Sequence, residues 1–300
     1  MRQYLIFFMD KLGFPEEAKK TFLDINDLFE QNSNCFDEMN AIIKKFYSNQ
    51  KRHQTDDILA RLNDLSQKMG VHSYTMHFMF YLYCSEPLRE NYKKAGISED
   101  IFWNTMLDLY YKLLECNKVY GIWGTFVASW FGGFFTMERF GLGRLQYEHS
   151  FFNCDSYTKS GLTVHKGDRV YNIHIPSAGP LTREKRISSY QKAFDFYKHE
   201  LNGKPMVFVC NSWLLYPKNE MFFPKGSNMI DFMHDFKILS STEQDSFNDA
   251  WRVFGEKFNE PIEKLPVDTS LQKAYVNWLK DGNKTGIGYG VMFFDGEKIL

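Results

Sequence analysis

The hydrophobic period of the chain changes near its middle. Up to about residue 120, apolar side chains recur at helical spacing. Ala18, Phe22, Ile25 and Phe29 follow Pro15, Glu16 and Glu17, a proline and two acids suited to a helix start. Ser98, with Glu99 and Asp100 behind it, opens another helix whose stripe is Ile101, Phe102, Met106, Leu109, Tyr110, Leu113 and Leu114. Between them, Met69 to Ser85 carries no formal charge and is apolar almost all round, as a helix in the middle of a bundle would be. Met1 to Met9 is read as the first helix, because Asp10 and Lys11 cut its apolar run too short for a signal-peptide core.

Beyond Phe140 the period becomes two. Leu145, Tyr147, His149 and Phe151 fall on one face of a candidate strand, and Arg144, Gln146, Glu148 and Ser150 on the other. A strand over Arg169 to Ile175 runs into Pro176-Ser177-Ala178-Gly179-Pro180. A helix then opens near Thr182, with Ile187, Tyr190, Phe194 and Tyr197 as its buried stripe, and stops around Asn202-Gly203. Met206 to Cys210 follows as a continuous apolar strand. Strand, helix, strand is a βαβ unit, so the two strands are expected to be parallel neighbours joined by a right-handed crossover. A helix through Leu271, Ala274, Tyr275, Trp278 and Leu279 precedes a last strand around Ile287 to Phe294. The expected class is α+β, with an all-helical domain over residues 1–120 and a mixed β-sheet domain with flanking helices over residues 121–300.

Composition narrows the function. The 300 residues hold 36 Lys and Arg against 37 Asp and Glu, balanced in both halves, so the chain lacks the basic footprint of a nucleic-acid binder. With 44% apolar and 24% charged residues it is expected to fold as a globular protein. Its five cysteines, Cys35, Cys84, Cys116, Cys154 and Cys210, include no Cys-x-x-Cys pair. That argues against a zinc ribbon or a dithiol redox site and fits a reducing, cytoplasmic setting. Val119 to Met137 is uncharged and about as long as a bilayer span. Gly121, Gly124, Gly132 and Gly133 dilute it, and it is read as a buried helix at the domain junction, with no membrane partner.

Candidate chemistry gathers after the first strand of the βαβ unit. In an open sheet, ligands bind beyond the carboxyl ends of parallel strands, which nominates His174 to Gly179 and Cys210 to Trp213. Lys159, Lys166, Arg169, Arg183, Lys185 and Arg186 face only Asp168 and Glu184 in that stretch. Three of the six sit at a helix N-terminus, where the macrodipole disfavours cations, so an anion is expected between them. First-turn amides, a flexible Gly179, and Arg183, Lys185 or Arg186 would make a phosphate cradle; a solvated basic turn is the plain alternative. Gly286-x-Gly288-x-Gly290 lacks the helix of a dinucleotide fingerprint and reads as a strand against which another backbone packs. Asp231, His234 and Asp235 read as a polar helix face rather than a metal site.

Three stretches then carry a resemblance: Gly143-Arg144-Leu145-Gln146-Tyr147-Glu148, Tyr171-Asn172-Ile173-His174-Ile175-Pro176-Ser177-Ala178-Gly179-Pro180-Leu181, and Val209-Cys210-Asn211-Ser212-Trp213-Leu214-Leu215. They resemble a bacterial family of two-domain acyltransferases, in which a helical N-terminal domain precedes a GNAT-like acyltransferase domain. The resemblance implies that acetyl-CoA or another acyl-CoA, with no metal, donates an acyl group to an amine of a small molecule or peptide. It makes Arg169 to Ile175 and Met206 to Trp213 the fold's fourth and fifth strands, which splay around pantetheine. Ile175, Ser177, Ala178, Gly179, Leu181, Thr182, Arg183, Lys185 and Arg186 would then bind the cofactor's pyrophosphate side, and Asn211 the pantetheine amides. For transfer to a thioester, His174 or Glu148 is the candidate base and Ser212 the candidate proton donor to the departing thiolate. The chain departs from the usual Gln/Arg-x-x-Gly-x-Gly/Ala loop: it has one glycine, and Pro176 and Pro180 lack N–H donors. Either Ser177, Thr182 and Arg183 compensate, or the fold has been kept by a non-catalytic ligand-binding or scaffold protein, or by an enzyme for another phosphorylated ligand.

Overall fold

A computed structural model describes residues 1–48 and 55–300. Its contacts divide the chain into two units, Met1–Phe140 and Gly141–Leu300, so the division lies about twenty residues beyond the boundary expected at 120. The first unit is helical: α1 (Arg2–Leu12), α2 (Glu16–Gln31), α3 (Ser33–Ser48), α4 (Thr55–Met69), α5 (Ser73–Lys94) and α6 (Glu99–Tyr120). Pro15 stands at the N-cap of α2, one residue before the first turn, and the Ser98 hydroxyl accepts a hydrogen bond from the Ile101 amide.

The uncharged stretch becomes the centre of the bundle. Every residue from Thr75 to Ser85 of α5 is buried, and neighbouring helices meet it with rings, as in the stacked Phe22 and Phe78 at 5.0 Å. Two tyrosine hydroxyls here bond to neighbouring helices. The Tyr47 hydroxyl donates to the Cys84 carbonyl at 2.7 Å, and the Tyr83 hydroxyl to Asn26 Oδ1 at 3.1 Å. The Val119–Met137 segment is not one helix, as the sequence had suggested. α6 ends at Gly121, and a 3-10 turn (Ala128–Phe131) and the short α7 (Gly132–Phe135) follow, because its glycines and Ser/Thr residues break the helical run. Among the described residues no helix is long and apolar enough to cross a membrane.

His77, on α5, gives this unit a pH dependence. It is 8% exposed with Nε2 2.9 Å from Asn63 Oδ1, and loss of hydration lowers its pKa from 6.5 to about 4. Between those values the unfolded chain binds the proton more readily than the folded one, so stability falls as the pH drops through this window. The expected loss at pH 5 is about 2 kcal/mol relative to neutral pH. Denaturant midpoints at pH 7 and pH 5 should show it, and His77→Gln should flatten the difference.

The second unit is built on a six-stranded sheet in the order β1-β2-β5-β6-β8-β7. Its strands are β1 (Arg139–Leu142), β2 (Leu145–Phe151), β5 (Arg169–His174), β6 (Met206–Ser212), β7 (Lys237–Gln244) and β8 (Thr285–Phe294), while β3 (Ser156–Lys159) and β4 (Leu162–His165) form a separate hairpin. β5 and β6 are the parallel pair, and α8 (Arg183–Leu201) crosses between them. α8 covers one face of the sheet through Tyr190 on Phe208 at 5.6 Å and Tyr197 on Tyr171 at 4.6 Å. The β3–β4 hairpin covers the other: Val164 joins Val170, Val209, Val291 and Phe293 in one core, with Tyr157 stacked on Phe293.

The Gly286-x-Gly288-x-Gly290 run has the role its pattern suggested. A Cβ on Gly288 would stand 1.9 Å from the Leu215 carbonyl oxygen, so the backbone of the 3-10 turn Trp213–Leu215 rests directly on β8. The short helices α9 (Asn219–Phe222), α10 (Asn228–Met233) and α11 (Ala250–Phe254), and then α12 (Ser270–Lys280), fill the chain between β6 and β8. α12 begins with a capping box between Thr269 and Gln272.

Candidate active site

The parallel pairing of β5 and β6 stops early. Tyr171 matches Phe208 and Asn172 matches Val209, yet β5 runs on to His174 and β6 to Ser212. Beyond the last matched pair no further ladder pairing joins the two strands, which leaves a gap in the sheet's hydrogen bonding at the carboxyl ends of both.

A buried polar group borders that gap. Antiparallel pairing sets Glu148 of β2 opposite Asn172 of β5, and alternation places Glu148, Asn172, His174 and Asn211 on the hairpin side of the sheet. His174 Nε2 lies 2.8 Å from Glu148 Oε1, with the side chains 19% and 8% exposed. Asn172 Nδ2 donates to the same carboxylate oxygen at 3.4 Å and lies 3.1 Å from His174 Nε2. A buried carboxylate needs such partners, because removing its hydration is costly. An ionised carboxylate only accepts, so the 2.8 Å contact places the imidazole proton on Nε2 and makes Nδ1 the basic nitrogen of the neutral ring. His174 and Glu148, alternatives in the sequence, are one unit in the structure. Asn172 was missed, although its place two residues before His174 puts it on the same strand face.

The other sequence candidates divide sharply. Ser212 sits on the α8 side of β6, with Cys210 and Phe208, away from the Glu148–His174 pair. Its oxygen accepts from the Leu214 amide at 3.2 Å and caps the turn that follows. Cys210 is fully buried, and burial pushes its thiol well up from the usual range. Tyr216 donates to Glu243 at 3.1 Å. Asn211 is exposed, opposite Tyr289 of β8.

At the N-terminus of α8, Thr182 is the N-cap, and its hydroxyl accepts from the Lys185 amide. The amides of Gly179, Leu181, Arg183 and Glu184 make no hydrogen bond within the described residues. Arg183 and Lys185 are exposed beside them. Helix dipole, open N–H groups and two cations make this a place for an anion.

Two sequence candidates are corrected. Arg186 is fully buried and turned inward: Nε donates to Asp235 at 2.7 Å, Nη2 to Asp231 at 2.7 Å and Nη1 to the Leu181 carbonyl at 2.7 Å. A guanidinium held by three acceptors out of solvent is a structural group, unavailable to a phosphate. The Ala178 amide is likewise committed, to the Pro176 carbonyl at 2.8 Å. Leu181 is buried and offers the site its backbone only. Asp231 and Asp235 serve Arg186 at 2.7 Å each, with the exposed Arg183 farther off at 4.0 and 3.7 Å, and His234 pairs with Glu220 at 2.7 Å.

A mixed sheet that opens between two parallel strands, with a helix N-terminus below the gap, is the architecture of a GNAT-type acyltransferase, which uses acyl-CoA as its donor. Comparison agrees along nearly the whole sequence. Residues 140–292 match the family model of the GNAT-like C-terminal domain, and residues 4–137 that of the N-acyltransferase N-terminal domain. The chain belongs to this two-domain acyltransferase family, as the three stretches had suggested.

Three solved structures share the fold. An acyltransferase in complex with decanoyl-CoA and teicoplanin is 18% identical, covering 95% of this chain and 86% of its own, with a TM-score of 0.73. An acyltransferase mutant in complex with octanoyl-CoA is 17% identical over the same shares, with a TM-score of 0.72. An acyltransferase in complex with decanoyl-CoA is 19% identical, covering 96% of this chain and 98% of its own, at 0.63. No curated protein matches the sequence.

Proposed function

We propose that the protein transfers an acyl group from acyl-CoA to an amine, with His174 as the general base and Glu148 as its orienting partner. The observation that carries this reading is the 2.8 Å Glu148–His174 contact beside the gap between β5 and β6. The carboxylate fixes the ring and stabilises the imidazolium that forms when Nδ1 takes a proton from the attacking amine. The amine nitrogen bonds to the thioester carbon, the C–S bond breaks, and the thiolate leaves as CoA. Ser212 faces the other side of β6 and is no longer favoured as the thiolate's proton donor.

The donor's diphosphate is assigned to the amides of Gly179, Leu181, Arg183 and Glu184 and to the side chains of Arg183 and Lys185, with Asn211 on the pantetheine arm. The sequence alone favoured acetyl. The neighbours' octanoyl- and decanoyl-CoA favour a longer chain equally, and an acceptor of peptide or small-molecule type accords with the teicoplanin complex. Calorimetry with acetyl-CoA and octanoyl-CoA tests the seat. Micromolar binding of either, weakened about tenfold in Arg183→Ala, is the expected result. Failure of every CoA thioester to bind would remove the enzyme reading.

A further inference from the structure

The loop between β5 and α8 lacks the glycines that usually bring backbone amides onto a diphosphate, and two of its residues are prolines. What shapes it instead is a side chain from another strand connection. Arg144, in the two-residue turn between β1 and β2, spreads its guanidinium across three loop carbonyls: Nη1 to Pro176 at 2.9 Å, Nη2 to Gly179 at 2.7 Å and Nε to Pro180 at 3.4 Å. Gly179 meets this clamp at φ +80°, a left-handed conformation that other residues rarely adopt.

A trans peptide is planar, with its C=O and the following N–H pointing in opposite directions. Holding the Pro176 carbonyl therefore turns the Ser177 N–H away from Arg144, and holding the Pro180 carbonyl does the same for the Leu181 N–H. The Gly179 carbonyl precedes Pro180, which has no N–H to turn. One planar fork thus turns the loop's carbonyls to its own side and the Leu181 donor, one residue before the N-cap of α8, to the opposite side. Arg186 anchors the end of the loop from within by holding the Leu181 carbonyl at 2.7 Å.

Building on the acyl-CoA reading above, we infer that Arg144 is the positioning residue that replaces the missing glycine loop, holding its three carbonyls back and fixing the Leu181 amide toward the diphosphate of the donor. It acts on the loop's carbonyls and need not touch the ligand. A lysine cannot take its place, because one ammonium does not span three carbonyls held by a flat fork.

The test compares two thioesters, one of which lacks the diphosphate together with the nucleoside beyond it. Dissociation constants for octanoyl-CoA and for octanoyl-pantetheine, which ends before the diphosphate, are measured by calorimetry on the wild type, Arg144→Ala and Arg144→Lys. The wild type should prefer octanoyl-CoA. Both variants should lose about tenfold or more on octanoyl-CoA and stay within about twofold on octanoyl-pantetheine. A wild type without preference for the CoA thioester would count against the diphosphate seat itself. A preference that survives in both variants, or an equal loss on both thioesters, would overturn the role of Arg144. Arg144→Lys keeps the charge and most of the stem, so it provides the reading if Arg144→Ala does not fold.

Discussion

His174→Gln is expected to lower acyl transfer by about 10²- to 10⁴-fold while leaving the dissociation constant for octanoyl-CoA within about twofold, because a glutamine can still bond Glu148 but cannot take up a proton. CoA release in the presence of a panel of primary amines, followed by its free thiol, measures the first quantity, and calorimetry the second. Glu148→Gln keeps the shape of the pair and removes its charge. It should slow turnover by about 10²- to 10⁴-fold as well, since the imidazolium then forms without a carboxylate beside it. The double variant should be little worse than either single one, because the two groups act as a unit. Turnover unchanged in His174→Gln would remove it as the base.

The second large effect is on stability. Arg186→Ala leaves Asp235, with its side chain only 2% exposed, as a buried carboxylate deprived of its main cation. Breaking such a pair from one side costs about 3–5 kcal/mol, which lowers the melting temperature by roughly 10 °C in a domain of this size. Pairing Arg186→Met with Asp235→Leu should recover part of that loss, since neither charge is then stranded. A calorimetric melt of the three proteins decides the matter; an unshifted Arg186→Ala would return the arginine to the list of phosphate ligands. Asp231 adds a pH signature. The hydrogen bond from Arg186 holds its carboxyl below the usual 3.8, so its contribution is present above that pH and fades as the pH falls through the lowered value. In Arg186→Ala this acid dependence should shrink.

Those two variants mark what the sequence could and could not convey. Alternation along β2 and β5 was legible, with Glu148 on one face of its strand and Asn172 and His174 together on one face of theirs; the antiparallel register that brings those faces to a common side was not. The stop at Asn202, the Thr182 cap and the parallel β5–β6 pair followed from local chemistry. The βαβ unit was legible because apolar strands and a striped helix are written in short-range periodicity. β7 was not: Lys237-Ile238-Leu239-Ser240-Ser241-Thr242-Glu243-Gln244 is an edge strand, and its polar, exposed pattern carries no buried face to read. The β3–β4 hairpin escaped for a similar reason, since only Val164 of its residues is buried.

The site divided along the same line. Three basic residues near one helix start were visible, but which of them faces solvent depends on Asp231 and Asp235, some 45 residues downstream. Spacing within α8 separates Arg183 from Arg186 by nearly one turn, and only the partners Asp231 on α10 and Asp235 just after it show that Arg186 is the interior one. Arg144 was quoted as part of a motif without a role, because its acceptors are carbonyls more than thirty residues away in sequence, and backbone acceptors leave no trace in residue identity.

The order of the strands has a consequence for how the molecule is made. β8 lies between β6 and β7, so a nascent chain that has not yet reached Thr285 has two strands with no partner between them. The glycine-lined bed for the Trp213–Leu215 turn is missing for as long. Translation must run more than seventy residues past Ser212 before the sheet can close, a long-range pairing of the kind that makes folding slow and leaves apolar edges exposed meanwhile. A ribosome stalled in that interval would hold the Glu148–His174 pair on β2 and β5 without the sheet that supports it, and this is the window in which a chaperone has most to protect.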